Sequence, residues 1–236
     1  MPERSSRGAD KSTPVRLSTR EAYRLWAPTY EKETALSALE DRVVRRVLPE
    51  VGGRRLLDVG CGTGRRLRSL SGVPALAVGL DLVPDMLRMD RRAAGAPMRV
   101  VGDVRRLPMT SATFDLLWCR LVLGHVDQLA VAYEELARVA RPGADLVVSD
   151  FHATAVSAGH SRTFRDARGR VHEVEHHVYA PADHVEAARA AGWLHGSTLE
   201  APAGEEERSF YERAGRIRQF EAEADLPLVL VLCFRR

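Results

Sequence analysis

From residue 54 onward the chain alternates short, nearly unbroken apolar runs with longer stretches of mixed polarity. RRLLDV, ALAVGLD, MRVVGD, FDLLWC and ADLVVSDF read as five successive strands, separated by helical or loop segments of crossover length. Apolar runs without polar alternation are what strands show when helices cover both faces of a sheet, so the pattern predicts a parallel α/β layer. A helix from Asp127 places Leu129, Ala132, Tyr133, Leu136 and Ala140 on one face, and ARPG is expected to stop it before the fifth strand. Ahead of this layer, a cap at Ser18 opens a short helix that Pro28 breaks, and a second helix is predicted over residues 35–48. The rhythm changes after the fifth strand. RTFRDARGRVHEVEHHVY predicts a hairpin turning at residues 166–169, inserted before the helix PADHVEAARAAG. A strand near Leu194–Ala201, a polar amphipathic helix carrying Phe210, Ile217 and Phe220, and a last strand LPLVLVLCF follow.

Length and composition narrow the class. With 236 residues, 45% of them hydrophobic, one α/β domain over residues 17–236 is expected, preceded by a disordered tail over residues 1–16. Residues 151–180 form its insertion, expected to cap the substrate pocket. The 35 basic and 32 acidic residues nearly balance, which predicts no strong attraction to nucleic acid or to an anionic membrane. LPLVLVLCF is too short to span a bilayer, and the charged start MPERSSRGADKSTP does not read as a secretory signal. Cys61, Cys119 and Cys233 lack paired spacing, as expected of reduced thiols in a cytoplasmic protein. Lysine occurs only at Lys11 and Lys32. A P-loop lysine, a Schiff-base lysine beyond residue 32 and the Tyr-x-x-x-Lys pair of many dehydrogenases are therefore excluded.

The stretch LLDVGCGTG sets a strand, a tight turn and a helix start in line, as nucleotide-binding turns require. Its spacing departs from G-x-G-x-x-G, because Arg65 stands where the third glycine would fall and the extra glycine is Gly64. Asp58 would also repel a pyrophosphate, whereas it suits a ligand carrying an ammonium and a sulfonium. Gly60, Gly62 and Gly64 let the backbone approach such a ligand. Asp81 closes the second strand 23 residues after Asp58, where a carboxylate accepts from ribose hydroxyls or simply caps the next helix. Asp103 closes the third strand with the same two readings.

In that order, LDVGCGTG, GLDLVPDML with Asp81, GDVRRLPMTSATFDLLWC with Asp103, and LVLGHVDQLAVAYEELARVARPGADLVVSD resemble the class I S-adenosylmethionine-dependent methyltransferases. Within them the chain is similar to the group holding quinone-type and malonyl-carrier-protein methyltransferases. The resemblance covers most of the chain, from Tyr23 to the last strand. It implies a Rossmann-like, mostly parallel seven-stranded sheet with helices on both faces, an antiparallel last strand and an N-terminal lid helix in YRLWAPTYE. It implies S-adenosylmethionine as cofactor, released as S-adenosylhomocysteine. It gives Asp103 and the Val104 backbone to the adenine, and sets Cys61, Leu82 and Cys119 around the same ligand. Tyr23, Trp26 and Tyr30 recur at helical spacing and would stack near the sulfonium as part of a lid, or serve only as a core staple.

A sulfonium donor arrives activated, so the acceptor decides whether a base is needed: a carboxylate needs none, a phenol does. His125 and His152, just past the fourth and fifth strands, are the candidate bases, with polar pocket walls as the alternative. Where this group commonly carries a His-His pair, the chain has Gly124-His125. Six of the eight histidines fall between His152 and His184, yet no cysteine accompanies them and no third ligand can be named, so no metal is expected. Arg162 and Arg165 in the hairpin suggest an anion clamp, or solvated surface charge, and Tyr179 joins them as a candidate acceptor contact. The expected activity is methyl transfer to an oxygen or carbon of a small molecule by a monomer or homodimer. Carboxyl methylation of a malonyl-type thioester and a non-catalytic cofactor-binding subunit are the alternatives.

Overall fold

The computed structural model describes residues 14–89 and 97–236. The apolar runs form the strands expected: β2 (Arg55–Val59), β3 (Leu76–Asp81), β4 (Met98–Val101), β5 (Phe114–Arg120), β6 (Ala140–Phe151), β9 (Leu194–Ala201) and β10 (Val229–Arg235). They make one seven-stranded sheet in the order β4, β3, β2, β5, β6, β10, β9. β2 pairs in parallel with both β3 and β5, and β10 alone runs antiparallel to its neighbours β6 and β9. The Rossmann-like sheet with an antiparallel last strand is the one the resemblance implies. Strand order reverses between β2 and β5, so the crevice beyond their carboxyl ends is where a ligand fits.

Two apolar clusters cover the two faces of the sheet. Tyr133, Leu136 and Val139 of α5 (Leu129–Val139) and Trp193 pack on one side with Leu57, Leu117 and Leu146. Leu39, Val43 and Val44 of α2 (Ala35–Val44) pack on the other with Leu56, Leu116 and Val147. Alternate residues of one strand thus enter opposite cores, which is why no polar periodicity marks these strands. α2 ends at Val44, earlier than residue 48. β6 starts at Ala140, so ARPG opens the strand, with a register shift where Phe114 and Leu116 meet it. Gly215, at φ +66°, splits the predicted C-terminal helix into α8 (Glu205–Arg213) and α9 (Ile217–Ala222).

A second, three-stranded sheet lies outside the first. β7 (Thr163–Arg165) and β8 (Val171–Val174) form the predicted hairpin, and β1 (Val15–Leu17) pairs in parallel with β8, Val15 opposite His172. Val15 and Arg16 are therefore strand residues and not tail, because the open edge of β8 gives their backbone groups partners. The expected disorder of residues 1–13 lies outside the described residues. Ser18 caps α1 (Thr19–Trp26) by accepting from the Glu21 amide, and Pro28 turns the chain into a 3₁₀ segment over Ala27–Thr29. α1 is held between the cap sheet, through Ala22, Phe164 and Val174, and α4 (Pro84–Arg88). Among the described residues no helix is long and apolar enough to cross a membrane.

Candidate functional site

The turn after β2 requires its glycines. Gly60 and Gly62 adopt φ of +71° and +60°, and a Cβ on Gly60 would lie 2.1 Å from Val122 Cγ2. Gly64, also left-handed, precedes α3 (Arg65–Arg68) and lies outside the cavity wall. The cavity at the switch point is lined by Gly60, Gly62, Asp81, Leu82, Asp103 and Val104, and also by Tyr23, Tyr30 and His125. Both Asp81 oxygens are fixed by backbone donors, Oδ2 by the Gly62 amide and Oδ1 by the Val83 amide, each at 2.8 Å. Burial raises the Asp81 pKa against these hydrogen bonds. Asp103 is held by Arg105, whose Nη2 reaches Oδ2 at 2.7 Å, and these bonds depress its pKa.

Asp58 does not line the wall. It is fully buried directly before Val59, which does, and neither of its oxygens has a hydrogen-bond partner. Burial pushes its pKa up to about 6, against the pull of the Arg66 and Arg120 guanidiniums. Glu40 of α2 is also fully buried, but well partnered: it accepts from Arg120 Nε at 2.8 Å, Arg120 Nη2 at 2.7 Å, Arg66 Nη2 at 3.1 Å and Ser149 Oγ. Burial alone would raise its pKa, and the two guanidiniums bring it down to about 2. This network ties α2 to the ends of β5 and β6 beneath the crevice.

A second, larger cleft adjoins the first, with Tyr30 and Leu121 in both walls. Trp26 and Cys61, expected at the cofactor, line this cleft and not the first. No aspartate or glutamate lines it, whereas Lys32, Arg65, Arg66, Arg162 and Arg216 do. Leu121 sits at φ +57°, a costly conformation for a branched side chain, and such strain concentrates at functional sites. Arg162, only 9% exposed, donates from Nη2 to the Tyr23 hydroxyl at 3.3 Å and from Nη1 to the Leu121 carbonyl at 3.5 Å.

His125 connects the lid to this arrangement. Its Nδ1–H donates to the Glu175 carbonyl at 3.2 Å, which leaves Nε2 to accept from the Tyr23 hydroxyl at 3.0 Å. Burial, then the charge of Arg162, lowers its pKa to about 3. The Tyr23 ring also stacks on Trp26, and Trp26 stacks on Phe164 of the cap sheet at 4.9 Å. Gly124 explains the departure from the His-His pair. A Cβ there would stand 2.2 Å from His176 Nε2 and 2.8 Å from Asp150 Oδ1, so His176, from beyond the hairpin, occupies the room of the missing side chain. His176 and His184 each point Nε2 at Asp150 from 3.6 Å.

Four expected site residues lie elsewhere. His152 lines neither cavity: its Nδ1 accepts from the Thr154 amide at 3.1 Å and caps α6 (Ala153–Ser157). Cys119 belongs to the apolar core, because the alternation along β5 turns it towards α5 while its neighbours Arg120 and Leu121 meet the crevice. Arg165 is exposed and donates to the Gly169 carbonyl within the hairpin turn, since adjacent residues of a strand face opposite ways. Tyr179 donates to the Val126 carbonyl at 2.6 Å and packs on the core. Among the described residues no group of three or more metal-ligating side chains converges. Glu40, Arg66, Arg105 and Arg120 were not expected at the site; the ARG after FDLLWC and the acidic pair in SALEDR were their only sequence signals.

Residues 57–148 match the family described as methyltransferase domain. The malonyl-[acyl-carrier protein] O-methyltransferase of Dechloromonas aromatica is 34% identical over 176 residues, 72% of this chain and 62% of that one. The protein of the same name from Serratia marcescens is 33% identical over 162 residues, 66% of this chain and 61% of that one. The chain thus spans less than two thirds of the length of these curated relatives. An S-adenosylmethionine-dependent methyltransferase from Mesorhizobium loti has the same fold, with a TM-score of 0.66 at 23% identity over 86% of this chain and all of that one. With the ordered motifs, the strand order and the glycine-and-carboxylate cavity, these likenesses establish that the chain belongs to the class I S-adenosylmethionine-dependent methyltransferases.

Proposed function

We propose that the chain transfers a methyl group from S-adenosylmethionine to an oxygen of a small molecule. The observation that carries this reading is the junction of two unlike cavities at Tyr30 and Leu121, one walled by glycine and carboxylates, the other by cations and apolar side chains. The residues fit the cofactor: Asp58 has two orphaned buried oxygens suited to an ammonium, and at Gly60 a Cβ would fill the space that the turn keeps open. When bound, the cofactor supplies an electrophilic methyl on a sulfonium sulfur.

The chain's own residues bind, align and exclude water. Asp81, its oxygens fixed by two amides, has outward lone pairs left for ribose hydroxyls. Asp103 and the Val104 backbone serve the adenine. Tyr23 and Tyr30 form the lid, and His125, by accepting from the Tyr23 hydroxyl, latches it. With Nε2 so engaged and its basicity depressed, His125 holds the lid and does not serve as a free base. An acceptor oxygen that is ionised without help is therefore favoured over a phenol.

A second reading, carboxyl methylation of a malonyl-type thioester, is supported by the names of the relatives quoted above. Incubation with S-adenosylmethionine and a panel of acids, phenols and malonyl-coenzyme A, followed by mass detection of methylated product, tests both. Acceptor-dependent S-adenosylhomocysteine formation is expected. Its absence across the panel, despite cofactor binding, would leave a non-catalytic cofactor-binding subunit.

A further inference from the structure

Arg162 is a buried guanidinium without an acidic partner. Its two hydrogen bonds are long and go to neutral oxygens, the Tyr23 hydroxyl and the Leu121 carbonyl, and no carboxylate of the described residues lies within ion-pair distance. A guanidinium carries five N–H donors, so most of its capacity is unused, and holding the charge away from water without a counter-ion is costly. Its partners place it at the boundary of the two cavities: Leu121 lines both, and Tyr23 lines the cofactor side. Beyond Arg162 the cleft is apolar on an aromatic scale, with Trp26, Leu36, Phe151, Phe210, Tyr211 and Leu228 in its wall.

A charged donor at the methyl-delivery end and a broad apolar wall behind it describe an amphipathic anion. Resting on the methyl-transfer reading, we propose that the acceptor is a free carboxylic acid with a bulky apolar body, its carboxylate held by Arg162 and its body lying along the aromatic wall. A malonyl group offers little apolar surface to that wall. In the transfer, a carboxylate oxygen lone pair forms the new O–CH3 bond as the S–CH3 bond of the sulfonium donor breaks. The sulfur keeps the bonding pair and becomes a thioether, and no proton is released. The Arg162 guanidinium orients the carboxylate and takes no part in bond making.

The test is calorimetric binding to the full chain, with and without S-adenosylhomocysteine, using octanoate, 3-phenylpropionate, octanamide and malonyl-coenzyme A as probes. On the wild-type chain the two acids are expected to bind at least about tenfold more tightly than the amide and than malonyl-coenzyme A. Arg162→Met is expected to lose that preference while binding S-adenosylhomocysteine unchanged, and Arg162→Lys to recover part of it. Equal binding of octanoate and octanamide, acid binding untouched in Arg162→Met, or tighter binding of malonyl-coenzyme A would each overturn the proposal. The acid-to-amide comparison needs no variant, so a misfolded Arg162→Met leaves it decisive. Failure of the wild-type chain to bind S-adenosylhomocysteine would instead remove the methyl-transfer reading, and acid binding in its absence would still report on Arg162.

Discussion

Replacing Asp58 by Asn should make the ligand-free chain more stable and its cofactor binding weaker. Asp58 is fully buried, neither oxygen has a partner, and burial moves its pKa from 3.8 to about 6. At 1.36 kcal/mol per pKa unit, the folded state forgoes about 3 kcal/mol when this carboxyl is ionised. The sign follows from the direction of the shift. With the folded pKa raised, the folded state binds the proton more tightly, so the wild-type chain is most favoured below pH 3.8 and loses that advantage as pH rises through about 6. Asn cannot ionise. Asp58→Asn should therefore gain up to about 3 kcal/mol over wild type near pH 8, a Tm rise of roughly 6 to 12 °C for a chain of this size, and little near pH 4. Urea unfolding at both pH values measures the difference, and calorimetry with S-adenosylhomocysteine should show affinity reduced by about tenfold or more for want of the ammonium's partner. A variant less stable than wild type near pH 8, or a stability difference independent of pH, would refute the reasoning. Stability gained and affinity lost together would mark Asp58 as a carboxylate retained for function.

Gly60→Ala places a β-carbon in a left-handed residue and against Val122, so a loss of roughly 2 to 5 kcal/mol is expected, read as a lowered urea midpoint together with abolished cofactor binding. Gly124→His drives a ring into His176 and should destabilise by about 1 to 3 kcal/mol; His176→Gly in the same chain should restore most of this, and a thermal-unfolding double-mutant cycle without coupling would contradict the account of the missing pair. Glu40→Gln leaves Arg66 and Arg120 short of a counter-charge and should cost about 3 to 5 kcal/mol near pH 7. Because the folded pKa of Glu40 is depressed to about 2, its contribution is present above 4.5 and lost as pH falls towards 2, so variant and wild type should converge in acid unfolding.

What the sequence made legible and what it hid divide along local and non-local causes. The strands, the glycine turn, Asp81 at the end of β3 and the hairpin about residues 166–169 follow from runs of neighbouring residues. β1 was hidden because three residues carry no period, and its pairing with β8 joins segments more than 150 residues apart. Glu40 reads as a surface acid on an amphipathic helix until Arg120, 80 positions away, is brought against it. Cys119 and Arg165 were assigned the wrong side for one reason: in strands covered on both faces, or only three residues long, nothing local sets which alternate residues face the crevice. His152 stands at a strand end, as a ligand contact would, but its ring is taken up in capping the next helix.

The central claim is that the glycine-and-carboxylate cavity is a site for S-adenosylmethionine and not for a dinucleotide. Its most direct test is calorimetric titration of the chain with S-adenosylhomocysteine and, separately, with NADH, using Asp81→Asn as the matched variant, since Asn keeps an acceptor for the Gly62 or Val83 amide. One-to-one binding of S-adenosylhomocysteine, weakened by about tenfold or more in Asp81→Asn and without any response to NADH, is the result the account predicts. Binding of NADH in preference, or no binding of S-adenosylhomocysteine by a folded chain, would contradict it.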